Sequence, residues 1–181
     1  MNRIILIYGI LAGTIAISLV TLGATLGSAL GGGSIWFGYL IMFAALSLVF
    51  AGIKRYRDSE LHGMIRFWAA TGVGLGIALV SGVAYAAGWE AYLWLTNYSF
   101  FPQYAQAPIE AKRATGASSA EIAIFTRNMA AMGEQYAHPL YRMKMTLFEI
   151  LPVGVIMAFI SAALLRNGGL LSHRGNPLKD G

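Results

Sequence analysis

The chain has 181 residues, 57% of them apolar and 12% charged, with a mean hydropathy of +0.61. Soluble domains carry about 45–50% apolar and about 25% charged residues, so the composition points to a membrane and away from a soluble enzyme. Cysteine is absent, which excludes disulfides, thiolate metal sites and cysteine nucleophiles, and the net charge of +5 lies in clusters between apolar runs, not in one nucleic-acid-binding patch.

From Ile4 to Ile53 no residue is charged. A bilayer core of about 30 Å takes roughly 20 helical residues, so this run predicts two spans, near 4–27 and 34–53, broken at Gly31-Gly32-Gly33-Ser34. The third predicted span, near 65–90, is built on the uncharged run from Phe67 to Trp89 and opens into an interfacial belt of Trp89, Tyr92, Trp94 and Tyr98. The fourth lies near 143–166 and is closed by Gly168 as a C-cap. The expectation is all-α: one membrane domain over 1–170, an integral four-helix bundle, followed by a flexible cytoplasmic tail at 171–181. Lys54, Arg55, Arg57 and Arg66 occupy one short link and the Gly31 turn holds no basic residue, which puts both termini in the cytoplasm. A cleaved leader is a competing reading of the first segment, but a signal core usually runs 7–15 residues and this one passes twenty.

Residues 99–142, between the third and fourth spans, read as an extramembrane, periplasmic helical hairpin. Pro108 suits a first helical position, Gly116 a stop, and Ser118-Ser119-Ala120-Glu121 a capping box. Ile122, Phe125, Met129, Met132 and Tyr136 then recur at steps of 3, 4, 3 and 4, one helical stripe. Phe125, Met129 and Met132 either pack on the other helix of the hairpin or on the membrane surface, or meet a partner protein through an adaptable methionine face.

Within the apolar segments the acids are Glu149 and Glu90. A charge at the bilayer centre costs about 2.5–3.5 kcal/mol on insertion scales, which makes such a residue a functional candidate. Glu149 precedes the helix-disturbing Pro152 by three residues. Depth matching places Tyr85, Trp89 and Glu90, Trp36 and Tyr39, and the first-span stripe Thr14, Ser18, Thr21 and Thr25 at related levels. Two readings stand: a polar cavity that makes Glu149 a ligand or proton site, or a structural hydrogen bond. Glu90 has Arg142 and Lys144 as candidate ion-pair partners. The spacings Gly9/Gly13, Gly23/Gly27 and Gly72/Gly76 suit close helix packing, within the bundle or across a homodimer. His62, His138 and His173 fall in separate segments, and no phosphate loop, nucleophile elbow or zinc-protease helix occurs, so no catalytic residue, metal or cofactor is assigned.

The motif Gly52-Ile53-Lys54-Arg55-Tyr56-Arg57-Asp58, the Gly88-Trp89 pair, the segment Gly116 to Ile122, and Pro139-Leu140 followed by Glu149-Ile150-Leu151-Pro152-Val153-Gly154 resemble the bacterial membrane family called domain of unknown function 4199. The resemblance reaches from the first span to Arg166, with His138 standing where an Asn is expected before the proline. It implies a bacterial inner-membrane protein and supports four spans, and it supplies no reaction. Lys54, Arg55 and Arg57 are read as an orientation anchor or as holders of anionic lipid headgroups. The leading expectation is a non-catalytic binding or accessory module in the lipid bilayer, with a homodimer or a membrane-protein partner and no nucleic acid. A small transporter or lipid-handling protein using Glu149 is the alternative, and an intramembrane enzyme ranks last.

Overall fold

The computed structural model describes residues 1–26 and 35–167. The Gly31 turn, Gly27, the Gly168 cap and the 171–181 tail lie outside the described residues, as do the side chains of Thr25 and Trp36. Six helices and no strand occur among the described residues: α1 Asn2–Leu26, α2 Ile35–Glu60, α3 Phe67–Leu95, α4 Phe100–Ala114, α5 Ser119–Tyr136 and α6 Pro139–Leu165. Three segments, Asn2–Gly23, Phe67–Leu95 and Pro139–Leu165, are long and apolar enough to cross a membrane. The chain divides into two compact units, one of residues 1–85 and 147–181, the other of residues 86–146.

The first unit joins α1, α2, the first part of α3 and the later part of α6. Its glycines set the spacing between helices. A Cβ on Gly9 would stand 2.6 Å from Val80 Cβ, and one on Gly13 2.5 Å from the Ser81 carbonyl oxygen, so both glycines let α1 approach the α3 backbone. Gly72 faces open space, so the Gly72/Gly76 spacing does not work in the same way. Val49 and Ile53 of α2, Val73 and Ile77 of α3, and Ala158 and Ala162 of α6 form a buried apolar core. A second cluster gathers Ala16 of α1, Tyr85 of α3 and Ile150 of α6. Ile7, Leu11, Leu79, Phe148, Ile156 and Ile160 point outward, an apolar exterior that a water-soluble unit would not present so widely. The α2 helix runs beyond the apolar stretch through Lys54 to Glu60. There Arg57 is fully buried, its Nε donating to Asp58 Oδ1 at 2.8 Å and its Nη1 to the Leu165 carbonyl at 3.4 Å.

The second unit is the end of α3, the α4–α5 pair and the start of α6. The expectation for Pro108 is corrected: α4 starts at Phe100, and Pro108 lies inside it. Ser99 precedes the helix and Pro102 falls in its first turn, where the missing N–H costs nothing, so α4 starts before the residue that looks best suited to start it. Gly116 takes φ +76 just past α4, and the capping box closes α5: Ser118 Oγ accepts from the Glu121 N–H and Glu121 accepts from the Ser118 N–H. Ile122, Phe125, Met129, Met132 and Tyr136 are the half-buried face of α5, against α4.

Candidate functional site

The end of α3 is shaped by a left-handed turn. The Asn97 N–H donates to the Trp94 carbonyl at 3.2 Å and the Tyr98 N–H to the Leu93 carbonyl at 2.8 Å, the paired bonds that close a helix C-terminus. Asn97 and Tyr98 take φ 50 and 56. Asn tolerates that region, whereas for an aromatic residue it costs about 1–2 kcal/mol. The strained backbone leaves the Tyr98 ring 5.3 Å from the Arg142 guanidinium.

Arg142, 2% exposed, is the hub of the second unit. Its Nε and Nη2 donate to the two oxygens of Glu90 at 2.8 and 2.7 Å, and its Nη1 donates to the Tyr136 and Ala137 carbonyls at 2.8 and 2.9 Å. One fork thus ties α3 to the C-terminus of α5, where unpaired carbonyls welcome a cation. Tyr136 carries the guanidinium on its other side at 5.8 Å, stacks on Phe101 at 5.1 Å and accepts the Trp89 Nε1–H at 2.8 Å. Beside this cluster lies a half-enclosed pocket of about 410 Å³, lined by Leu93, Tyr98, Phe101, Pro102, Gly133, Tyr136, Ala137, Pro139 and Arg142. Four of the guanidinium's five N–H groups are already bonded within the unit, so the lining offers a ligand chiefly aromatic and aliphatic surface.

Of the residues singled out in the sequence, Glu90 and Trp89 belong to this cluster. Glu149 does not: it sits on the exposed face of α6 beside Phe148, makes no hydrogen bond or ion pair among the described residues, and lines neither pocket described here. Of the residues that the cavity reading would gather around it, the described ones lie elsewhere. Thr14 and Ser18 are exposed, Thr21 donates to its own helix at Ile17, Tyr85 packs between α1 and α6, and Tyr39 is 54% exposed. Phe125 lies under the Lys112 ammonium at 5.4 Å, and Met129 and Met132 are half-buried with it.

The basic motif splits by role. Arg57 is interior, Arg55 is exposed, and Lys54 donates to Asp58 Oδ2 at 2.8 Å. Burial of Asp58 opposes its charge, but hydrogen bonds from Arg57 and Lys54 outweigh that and hold its carboxyl below the usual range. Lys54, Arg55 and Asp58 with Tyr8, Ala51 and Ser59 border a second pocket of about 430 Å³, of which Arg57 is not a wall.

Sequence reading names Arg142 only as a partner for Glu90 and Tyr98 only as part of an interfacial belt, and it misses Phe101 and Tyr8. The Asn97-Tyr98 step just past an apolar run was a usable turn signal. Phe101 and Tyr8 carried none, because their partners lie far along the chain. Among the described residues, no three His, Asp or Glu side chains converge as a metal site.

No curated protein and no solved structure matches the chain. Residues 7–167 do match the family described as protein of unknown function (DUF4199), which is most of the sequence, and the chain belongs to that family.

Proposed function

We propose that this protein is a non-catalytic binding module of the bacterial inner membrane that holds an alkyl chain in the pocket beside Arg142. In this reading α1, α2, α3 and α6 cross the bilayer as a four-helix bundle, both termini face the cytoplasm, and α4 and α5 form a periplasmic hairpin. The apolar helices and the family support membrane residence, and the basic end of α2 with Arg66 just beyond it supports the orientation. The observation that carries the binding role is the pocket itself: a volume in the range of small-molecule sites, aromatic and aliphatic walls, and an arginine already engaged with the protein. Trp94 and Leu95, both largely exposed at the end of α3 next to the lining residue Leu93, suit a position of this helix end at the membrane boundary.

Ala137→Trp fills the pocket from its rim. Membranes carrying the protein are treated with a diazirine-bearing fatty acid and illuminated, and the peptides around Phe101 and Tyr136 are searched for adducts. Labelling is expected to fall roughly tenfold in the variant, the equivalent of about 1.4 kcal/mol of binding. Equal labelling of both proteins, or none in either, refutes the reading.

Self-association is a second reading, favoured by Glu149. A carboxyl exposed on a helix of membrane-crossing composition is relieved when a second polypeptide covers it. A transporter reading would instead need Glu149 to line a passage, and neither pocket described here includes it.

A further inference from the structure

The second pocket has a different chemistry. Ala51, Lys54, Arg55, Asp58 and Ser59 lie on one face of α2, at successive turns, and Tyr8 of α1 closes the opposite side. Asp58 is held from two directions, Arg57 Nε on Oδ1 and Lys54 Nζ on Oδ2, each at 2.8 Å. Two of the three ammonium protons of Lys54 remain for another acceptor, and the Arg55 side chain makes no hydrogen bond or ion pair among the described residues. Lys54 and Arg55 against the single carboxylate of Asp58 leave one net positive charge on the groove lining, and the buried Arg57 already pairs with that carboxylate. Its level in the chain is also telling. The uncharged run that starts at Ile4 ends at Ile53, so the groove opens where apolar surface gives way to charge, which in a bilayer is the headgroup layer.

We infer that this groove binds a phosphate-bearing anion, with Lys54 and Arg55 as the charged donors and Asp58, anchored by the buried Arg57, as the positioning residue that keeps Lys54 on the groove wall. The inference rests on the membrane residence proposed above and is independent of the alkyl pocket. A phosphate here has two sources, a lipid headgroup or a soluble phosphate, and both use the same donors.

The full chain in neutral detergent is exposed to vesicles of phosphatidylglycerol mixed with phosphatidylcholine, and to phosphatidylcholine alone. Lipid retained on the protein is then counted by native mass spectrometry. Entry into the vesicles is read separately by flotation, so failure to reside in lipid is told apart from failure to select phosphate. The wild-type chain is expected to retain phosphatidylglycerol selectively, and the double variant Lys54→Gln/Arg55→Gln to lose at least roughly tenfold of that retention with unchanged helix content. The variant Lys112→Gln/Arg113→Gln removes equal charge from α4 and is expected to retain the lipid normally. Inorganic phosphate in millimolar excess assigns the source: displacement of the lipid marks a site for soluble phosphate, and persistence marks a headgroup site. Equal retention of the two lipids by wild type, or equal losses in the two double variants, overturns the inference.

Discussion

Arg142 shows what a guanidinium does that an ammonium cannot. Its fork reaches both oxygens of Glu90 while the other nitrogen meets two carbonyls at the end of α5, four bonds from one planar group. Arg142→Lys keeps the charge but cannot satisfy both sides at once, so it is expected to destabilise the second unit nearly as much as Arg142→Met. Glu90 keeps about a quarter of its side chain in contact with solvent, which lowers the cost below that of a fully buried pair. A double-mutant cycle of Arg142→Met with Glu90→Gln, followed by amide exchange in residues 86–146, is expected to give a coupling of about 1–3 kcal/mol. A coupling near zero would show that the fork is ornamental. The pair was legible as a partnership in the sequence, because an acid near the end of one apolar run faced bases at the start of the next. The use of Arg142 as a cap for α5 was not, since backbone carbonyls leave no mark on residue identity.

At the scale of the element, α5 is the segment whose sequence speaks most directly. Its start is set by contacts within four residues, and its packed face by a repeat of 3 and 4, and both are local. Ser118→Ala removes one arm of the box and is expected to speed amide exchange in the first turn of α5 roughly fivefold, in line with the loss of a typical N-cap, with no change at the far end of the helix. The same turn should respond to acid. The Ser118 hydroxyl and N–H hold the Glu121 carboxyl below its ordinary range, so its contribution is complete above the unfolded value and is lost as the pH falls through the lower folded one. Protection in that turn, corrected for the pH dependence of intrinsic exchange, is therefore expected to fall on acidification below about pH 4 in wild type and to fall less in Ser118→Ala. Identical pH profiles for the two proteins would remove the box from the account. The helices α1, α3 and α6 are different. Apolar residues surround them almost completely, so their sequences announce helices but not which side faces a neighbour. That is why the sequence does not say that Glu149 lies on an exposed face of α6 or that Arg57, alone of the basic motif, is buried.

At the scale of the whole molecule, the cysteine-free chain makes association easy to test. Phe148, 82% exposed beside Glu149, lies where the self-association reading puts a second copy. In native membranes, Phe148→Cys is expected to yield a disulfide-linked dimer on mild oxidation, whereas Leu79→Cys, exposed on α3, stays monomeric. Equal yields at the two positions would mean random collision and would remove the reason for pairing copies through α6. Composition and charge breaks carried the all-helical plan, since they are sums over long windows. The pockets depend on single side chains meeting across many residues, and no window reports that.

The bond between Arg57 and the Leu165 carbonyl spans 108 positions of sequence. A ribosome makes the guanidinium early and its acceptor among the last helical residues, so through most of synthesis the cation stands short of one partner. The basic end of α2 thus gains this acceptor only when α6 is in place, which couples the two ends of the first unit during assembly.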